Sequence, residues 1–173
     1  MNNIVIRKAG TQDLNQLQEI STETFVQTFA EVNTKEDMDQ YLAERLSLTQ
    51  LSAEMDHPGS SFYFALLNDQ VIGYLKTNTG SAQTELKEAD GLEVERIYVL
   101  KEFKGKNVGQ LLLDKATTIA QDQKSAYVWL GVWEENYRAI RFYEKNGFSV
   151  FDKHIFKLGN DEQTDLMMKR VLF

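Results

Sequence analysis

A chain of 173 residues with 42% apolar content can build the core of one ordinary domain, and one proline with ten glycines leaves little room for long linkers. The formal net charge of −7 disfavours nucleic acid and anionic membrane as partners, since both need basic surface, and its sign suits a cationic partner or plain solubility. Cysteine is absent, which excludes disulfides, thiolate metal sites and a cysteine nucleophile together.

The first residues, Met1 to Arg7, lack a basic segment followed by a long apolar run, so no secretory leader is expected and the cytoplasm is the expected compartment. No stretch approaches the ~18–20 continuous apolar residues of a membrane span. Ile4–Lys8 reads as a first strand. Thr11 and Asp13 then offer capping oxygens to a helix in which Leu14, Leu17, Ile20 and Phe25 recur at helical spacing. Asn33-Thr34 opens a second helix with Met38, Tyr41, Leu42 and Leu46 on one stripe. A short third helix over 49–55 stops before the breaker His57-Pro58-Gly59. The aromatic run 61–67 and the segment 71–77 read as a hairpin about Asn68-Asp69-Gln70. A polar loop over 78–91 leads to a strand at 92–100, a glycine-containing loop and an amphipathic helix at 109–121. A strand at 127–132, a helix at 136–146 and strands at 148–156 and 164–171 complete the chain. This order implies an α/β sheet, mostly antiparallel, with one parallel crossover in its second half and no internal repeat. The two histidines, His57 and His154, lie far apart without ligand-like neighbours, so no metal site is expected, and His154 reads as a packed or surface side chain. No Gly-x-Ser-x-Gly elbow supports a serine nucleophile.

The segment from Val99 to Leu113 carries the most information. A strand ends, a short loop holds Lys104, Gly105, Lys106 and Gly109, and a helix starts at once. Glycine lets backbone approach a ligand closely, and free amides at a helix start point toward an anion, so the loop suits a pyrophosphate. It is neither a P-loop nor a Rossmann turn, whose glycine spacings differ.

Lys104-Gly105-Lys106-Asn107-Val108-Gly109 resembles the [Gln/Arg]-x-x-Gly-x-[Gly/Ala] signature of the GNAT family of acetyltransferases, with two departures: Lys104 replaces Gln or Arg, and Asn107 stands where the middle glycine belongs. The family's Asn-x-x-Ala-x-x-Phe-Tyr-x-x-x-Gly-Phe motif is intact from Asn136 through Ala139, Phe142, Tyr143 and Gly147 to Phe148. Glu23-Thr24-Phe25, Tyr41-Leu42, the run from Leu92 to Tyr98, the run from Trp129 to Glu134 and the run from Gln163 to Met168 are further similar to bacterial PaiA-type spermine/spermidine acetyltransferases. The resemblance implies a seven-stranded, mixed and mostly antiparallel sheet flanked by helices on both faces, in a single domain over 1–173. It implies acetyl-CoA as co-substrate, no metal, and direct transfer to a primary amine in a ternary complex. A polyamine is the favoured acceptor, and a homodimer is a further expectation.

The same resemblance assigns roles. Backbone groups of Ile97, Tyr98 and Val99 would hold the pantetheine arm like an added strand, and the amides from Lys104 through Gly105, Lys106, Asn107, Val108 and Gly109 to Gln110 would hold the pyrophosphate. Asn136 would hydrogen-bond the cofactor, Lys145 would reach its phosphates, and the Val99 amide would donate to the oxyanion. Tyr143 is the candidate general acid, because a phenol of pKa ~10 is matched to a leaving thiolate. Strand alternation would put Glu93, Glu95, Ile97 and Val99 on one face. Glu95 is the candidate base, acting through water, with Glu93 second, and both are candidates to bind the cationic amine. A structural pair between Glu95 and Arg96 or another cation is the alternative. Glu23, Glu31, Glu36, Asp37, Asp39, Glu85, Glu88 and Asp90 fall in regions that border the acceptor in this family. Two other functions stay open: acetylation of protein amino termini or lysines, and a CoA-sensing domain without turnover.

Overall fold

The computed structural model describes residues 3–172, so Met1 and Asn2 of the segment read for a leader lie outside the described residues. Seven strands, β1 (Ile4–Lys8), β2 (Ser60–Leu67), β3 (Gln70–Thr79), β4 (Gly91–Val99), β5 (Tyr127–Trp133), β6 (Ser149–Leu158) and β7 (Asp161–Val171), form one sheet in the order β1-β2-β3-β4-β5-β7-β6. Every neighbouring pair is antiparallel except β4 and β5, which the long crossover makes parallel. The expected sheet, its strand count and its single crossover all stand.

Five α-helices cover the two faces: α1 (Leu14–Phe29), α2 (Lys35–Arg45), α3 (Leu48–Asp56), α4 (Val108–Asp122) and α5 (Tyr137–Lys145). Thr34 caps α2 by accepting from Asp37 N at 3.1 Å, and Ser47 caps α3 by accepting from Gln50 N at 3.1 Å. Asp13 instead closes a 3₁₀ turn ahead of α1, accepting from Gly10 N at 2.9 Å and pairing with Arg7 at 2.9 Å. Leu112, Leu113, Ala116 and Ala120 of α4 are buried on one stripe, and the two alanines let this helix lie close against the sheet. With Tyr143 of α5 they pack on Leu92, Val94, Val128 and Leu130 of the central strands. The opposite face carries a second core, in which Leu17, Ile20 and Phe25 of α1 and Leu51 of α3 meet Phe62, Phe64 and Tyr74. Each fully buried Leu or Phe contributes roughly 1.5–3 kcal/mol, so the two cores clamp the sheet from both sides.

The final hairpin is longer than its composition suggests. Both strands run to a two-residue turn at Gly159-Asn160, and the register pairs His154 with Asp165. No helix among the described residues is long and apolar enough to cross a membrane.

Candidate active site

The parallel pair β4–β5 is short. Gly91 through Val94 pair with Tyr127 through Leu130, and there the two strands part. Past Glu95 the remaining residues of β4, Arg96 to Val99, pair with β3 alone, so a fork opens in the middle of the sheet. Leu100 N donates to Ile72 O at 2.9 Å, and because antiparallel pairs alternate, Tyr98 then exchanges its backbone bonds with Tyr74. The N–H and C=O groups of Ile97 and Val99 therefore face the fork. An extended ligand chain can bond to them as a strand would, whereas Tyr98 has its backbone committed to β3.

A β-bulge shapes the upper half of β4. Lys76 pairs with Arg96 and Thr77 with Val94, which leaves Glu95 as the extra residue. The bulge shifts the alternation by one. Leu92, Val94, Ile97 and Val99 consequently pack toward α4, whereas Tyr98 packs in the core beneath α1 and α3. The expected single face holding Glu93, Glu95, Ile97 and Val99 is thus corrected: the carboxylates point to the side opposite Ile97 and Val99. The sequence held a signal for this, since the apolar positions step from 92 and 94 to 97 and 99.

Both carboxylates have partners. Glu95 Oε1 accepts from Lys76 Nζ at 2.9 Å and from Asn78 Nδ2 at 2.9 Å, and Oε2 lies 3.1 Å from Arg96 Nη2. Lys76, which is 4% exposed, also binds Glu54 of α3 at 2.8 Å, and Arg96 binds Glu54 at 2.9 Å. Two acids and two bases form a closed set. Burial alone would raise the Glu95 carboxyl, but Arg96 and Lys76 hold it below its ordinary value. Glu93 accepts from Asn78 Nδ2 at 3.0 Å, from Thr84 N at 2.8 Å and from the Thr84 hydroxyl, and burial raises its carboxyl against those hydrogen bonds. The alternative pairing of Glu95 with Arg96 is therefore present. Glu54, Lys76 and Asn78 were not legible as members of this set, because they stand far apart in sequence.

The loop after β4 has the backbone an anion needs. Gly105 has φ +80° and Asn107 φ +70°, ψ +7°, so both occupy the left-handed region, which Asn tolerates better than other side-chain-bearing residues. The ladder of α4 starts with Leu111 N donating to Asn107 O at 3.1 Å, which leaves the amides of Val108, Gly109 and Gln110 without an intrahelical acceptor. The Lys104 amide is engaged with Lys101 O at 3.3 Å, so Lys104 contributes its side chain rather than its N–H. Arg138 Nη2 lies beside Gly105, 3.7 Å from where a Cβ would stand. Burial, then Arg138 and Lys101, hold the Lys104 ammonium below its ordinary value. Arg138 went unnoticed in the sequence, although it lies two residues into the Asn136 motif.

The start of α5 and its inner face complete the arrangement. Asn136 caps α5, its Oδ1 accepting from Ala139 N at 3.2 Å, which leaves its Nδ2 to donate elsewhere. Tyr143 is 7% exposed and packs at 5.8 Å against Phe148. Burial pushes its phenol above the ordinary range. Gln110 of α4 and Asn146 after α5 exchange side-chain amide bonds at 2.8 and 3.2 Å and tie the two helices together. Lys145 sits in the last turn of α5. Glu23 lines a hollow of about 690 Å³ with Gln18, Thr22, Leu42 and Ser47, on α1, α2 and the turn before α3. Among the described residues no group of three or more His, Asp or Glu side chains is placed to hold a metal ion.

Known proteins share this architecture. The sequence model of the Acetyltransferase (GNAT) family matches residues 14–148. An uncharacterized N-acetyltransferase of Lactobacillus delbrueckii subsp. lactis is 38% identical over 172 residues, 99% of either chain. A spermidine N(1)-acetyltransferase of Thermoplasma acidophilum is 30% identical over 86% of this chain and 90% of its own. The crystal structure of the PaiA N-acetyltransferase from Thermoplasma acidophilum in complex with coenzyme A superposes with a TM-score of 0.81 at 25% identity, covering 98% of this chain and 99% of that one. GNAT enzymes take their acyl group from acetyl-CoA, and the forked sheet, the loop with free amides and the buried tyrosine are assembled here in one place. The chain belongs to the GNAT family of N-acetyltransferases.

Proposed function

We propose that this enzyme transfers the acetyl group of acetyl-CoA to a primary amine of a polyamine, directly, within a ternary complex. The observation that carries the transfer is the fork: Ile97 and Val99 turn their backbone groups into it, and Tyr143 packs in the same core as both. In this reading the pantetheine arm extends β4. The amides from Gly105 to Gln110 hold the pyrophosphate, with charge from Lys104, Lys106 and Arg138. Asn136 Nδ2 donates to the cofactor and Lys145 reaches its phosphates. The Val99 amide stabilises the oxyanion as the amine attacks. The C–S bond then breaks, and Tyr143 gives its proton to the leaving thiolate. Burial keeps the phenol protonated in the resting site, so its proton is in place when the thiolate forms beside it.

The polyamine reading rests on the named Thermoplasma relative and on the net charge of −7. Glu93 and Glu95 enter it as fixed charge on the acceptor side of β4, because internal donors already hold both carboxylates. The test is release of free CoA thiol from acetyl-CoA across spermine, spermidine, simple diamines and a peptide. Turnover with the polyamines, falling as salt rises through the low-salt range, is the expected result. Turnover with the peptide alone would replace polyamine with protein as the substrate.

A further inference from the structure

Beyond the fork, on the face that carries Glu93 and Glu95, lies a group of side chains that the mechanism above does not use. Gly131 is the first residue of β5 past its last pair with β4, and although it sits in a central strand it is exposed. Two side chains close in on it from the neighbouring strands. A Cβ built at Gly131 would stand 3.3 Å from His154 Cε1 of β6 and 3.5 Å from Asp165 Oδ2 of β7. The register of the final hairpin places His154 directly opposite Asp165, with His154 Nε2 at 3.6 Å from Asp165 Oδ2. From above, Glu85 of the loop before β4 brings Oε1 to 3.3 Å from His154 Nδ1, yet at a geometry that makes no hydrogen bond, and Nδ1 is otherwise shut from solvent. Thr84 holds the same loop down through Glu93.

This imidazole thus stands between two carboxylates and is hydrogen-bonded to neither. Its Nδ1 is buried without a hydrogen bond, and a buried polar atom without a partner is unfavourable by about 1–3 kcal/mol, while the partly exposed ring leaves Nε2 open to a ligand. Gly131 removes the side chain that would otherwise fill the space in front of it.

We infer that His154 accepts the proton of the acceptor ammonium, and that Asp165 and Glu85 hold that ammonium at the open face of Gly131. The proton count closes on this arrangement. An ammonium R–NH₃⁺ held by the two carboxylates gives one proton to the imidazole. The free amine forms the N–C bond to the thioester carbon, and the C–S bond breaks with its electron pair on sulfur. Tyr143 delivers its proton to the thiolate, and the nitrogen's second proton, lost as the amide forms, passes through solvent to restore the Tyr143 phenol. Amide, thiol and imidazolium result, and the imidazolium returns its proton to solvent. Asp165 and Glu85 stabilise the transient imidazolium by charge. Histidine suits the task because its charge changes near neutral pH. The exposed Asp152, two residues along β6, adds a third negative group to this face. Burial, opposed by His154 and aided by Glu85, raises the Asp165 carboxyl to about 6, so the pair favours positive charge between its members.

This inference rests on the amine-acetyltransferase reading, and its test separates the two. His154→Gln keeps the size and a donor–acceptor pair but cannot take a proton. With spermidine as probe, kcat should fall by roughly 10²–10⁴-fold and the acidic limb of the kcat/KM profile should disappear. His57→Gln, in a turn where its ring only accepts from Gly59 N at 3.0 Å, should match the parent enzyme. The chain's two histidines make imidazole NMR simple to assign, and added spermidine should move the His154 resonances alone. Slow hydrolysis of acetyl-CoA without acceptor gives a readout that needs no amine, because the same imidazole would activate water. If no polyamine is a substrate but His154→Gln still lowers hydrolysis at least tenfold, the polyamine reading fails and His154 stands. If His154→Gln keeps both rates and the acidic limb, His154 is not the proton acceptor.

Discussion

Toward α4, β4 presents Leu92, Val94, Ile97 and Val99, and toward α3 it presents Glu95 and Arg96, locked to Lys76 and Glu54. The first side is built from backbone. Its working parts are amides in the fork, amides at the start of α4 and two left-handed residues, with Tyr143 as the one side chain that reacts. The second side is built from side chains drawn from α3, β3, β4, β6, β7 and the loop before β4. Backbone sites follow from local sequence, because glycine, asparagine and a helix start are legible in a run of ten residues. Side-chain sites depend on register and packing, and their members, from Glu54 to Asp165, lie far apart in sequence. The cofactor side should therefore tolerate most substitutions, and the acceptor side very few.

Tyr143→Phe is the sharpest challenge to that contrast, since it alters the one reactive side chain on the tolerant side. Acetyl-CoA affinity and the melting temperature should hold while kcat falls by roughly 10²–10⁴-fold. Undiminished kcat would remove Tyr143 from the mechanism. Lys76→Met probes the other side. It leaves Glu54 and Glu95 with one cation between them, and loss of a partner from such a buried set is expected to reduce stability by about 3–5 kcal/mol in urea unfolding. Adding Glu95→Gln restores charge balance and should recover most of the loss. A double variant as unstable as the single would mean that packing, not charge, is what Lys76 supplies.

Asn107 offers a finer cut. Its left-handed φ is the requirement, so Asn107→Gly should bind acetyl-CoA about as tightly as the parent, while Asn107→Val, strained there by roughly 1–2 kcal/mol, should bind about tenfold more weakly by calorimetry. Unchanged affinity in a folded Asn107→Val would show that the loop does not cradle the cofactor. The smallest effect is expected at Asp165. Its folded-state carboxyl sits near 6 against an ordinary value of about 3.9, so the folded state holds this proton more tightly than the unfolded chain does. That advantage is complete below about pH 4 and is lost as pH rises through 6. Asp165→Asn cannot ionise and should be more stable than the parent at pH 8, by at most about 2 kcal/mol, with the gain vanishing near pH 4. Equal gains at both pH values would point to packing instead of charge.

Legibility divided along the same line. Strand and helix order, the parallel crossover, the departure from glycine at Asn107 and the loop–helix junction were open to reading, because each depends on neighbours in sequence. The bulge at Glu95 was written in the spacing of apolar residues but needs the second strand to be seen as a bulge. Ending the final strands at 156 and 164 hid the Gly159-Asn160 turn. With that turn in place, counting back along the hairpin brings His154 opposite Asp165. The approach of Glu85 and the Glu54–Lys76 pair had no local signature, because only the folded loop and α3 bring them there.

The tip of that hairpin has a consequence for how the protein can be altered. A two-residue turn at the edge of a sheet is ordinarily the cheapest place to lengthen a chain or to splice in a tag. Here the buried Asp37 of α2 reaches over the tip and accepts from Asn160 N at 3.0 Å. Gly159, at φ +61°, passes so close beneath that carboxylate that any β-carbon would collide with it. An insertion at 159–160 would break the contact by which α2 holds the tip of the hairpin. Epitope tags, fluorescent fusions and new termini should avoid this turn, however exposed its position on the outline of the fold.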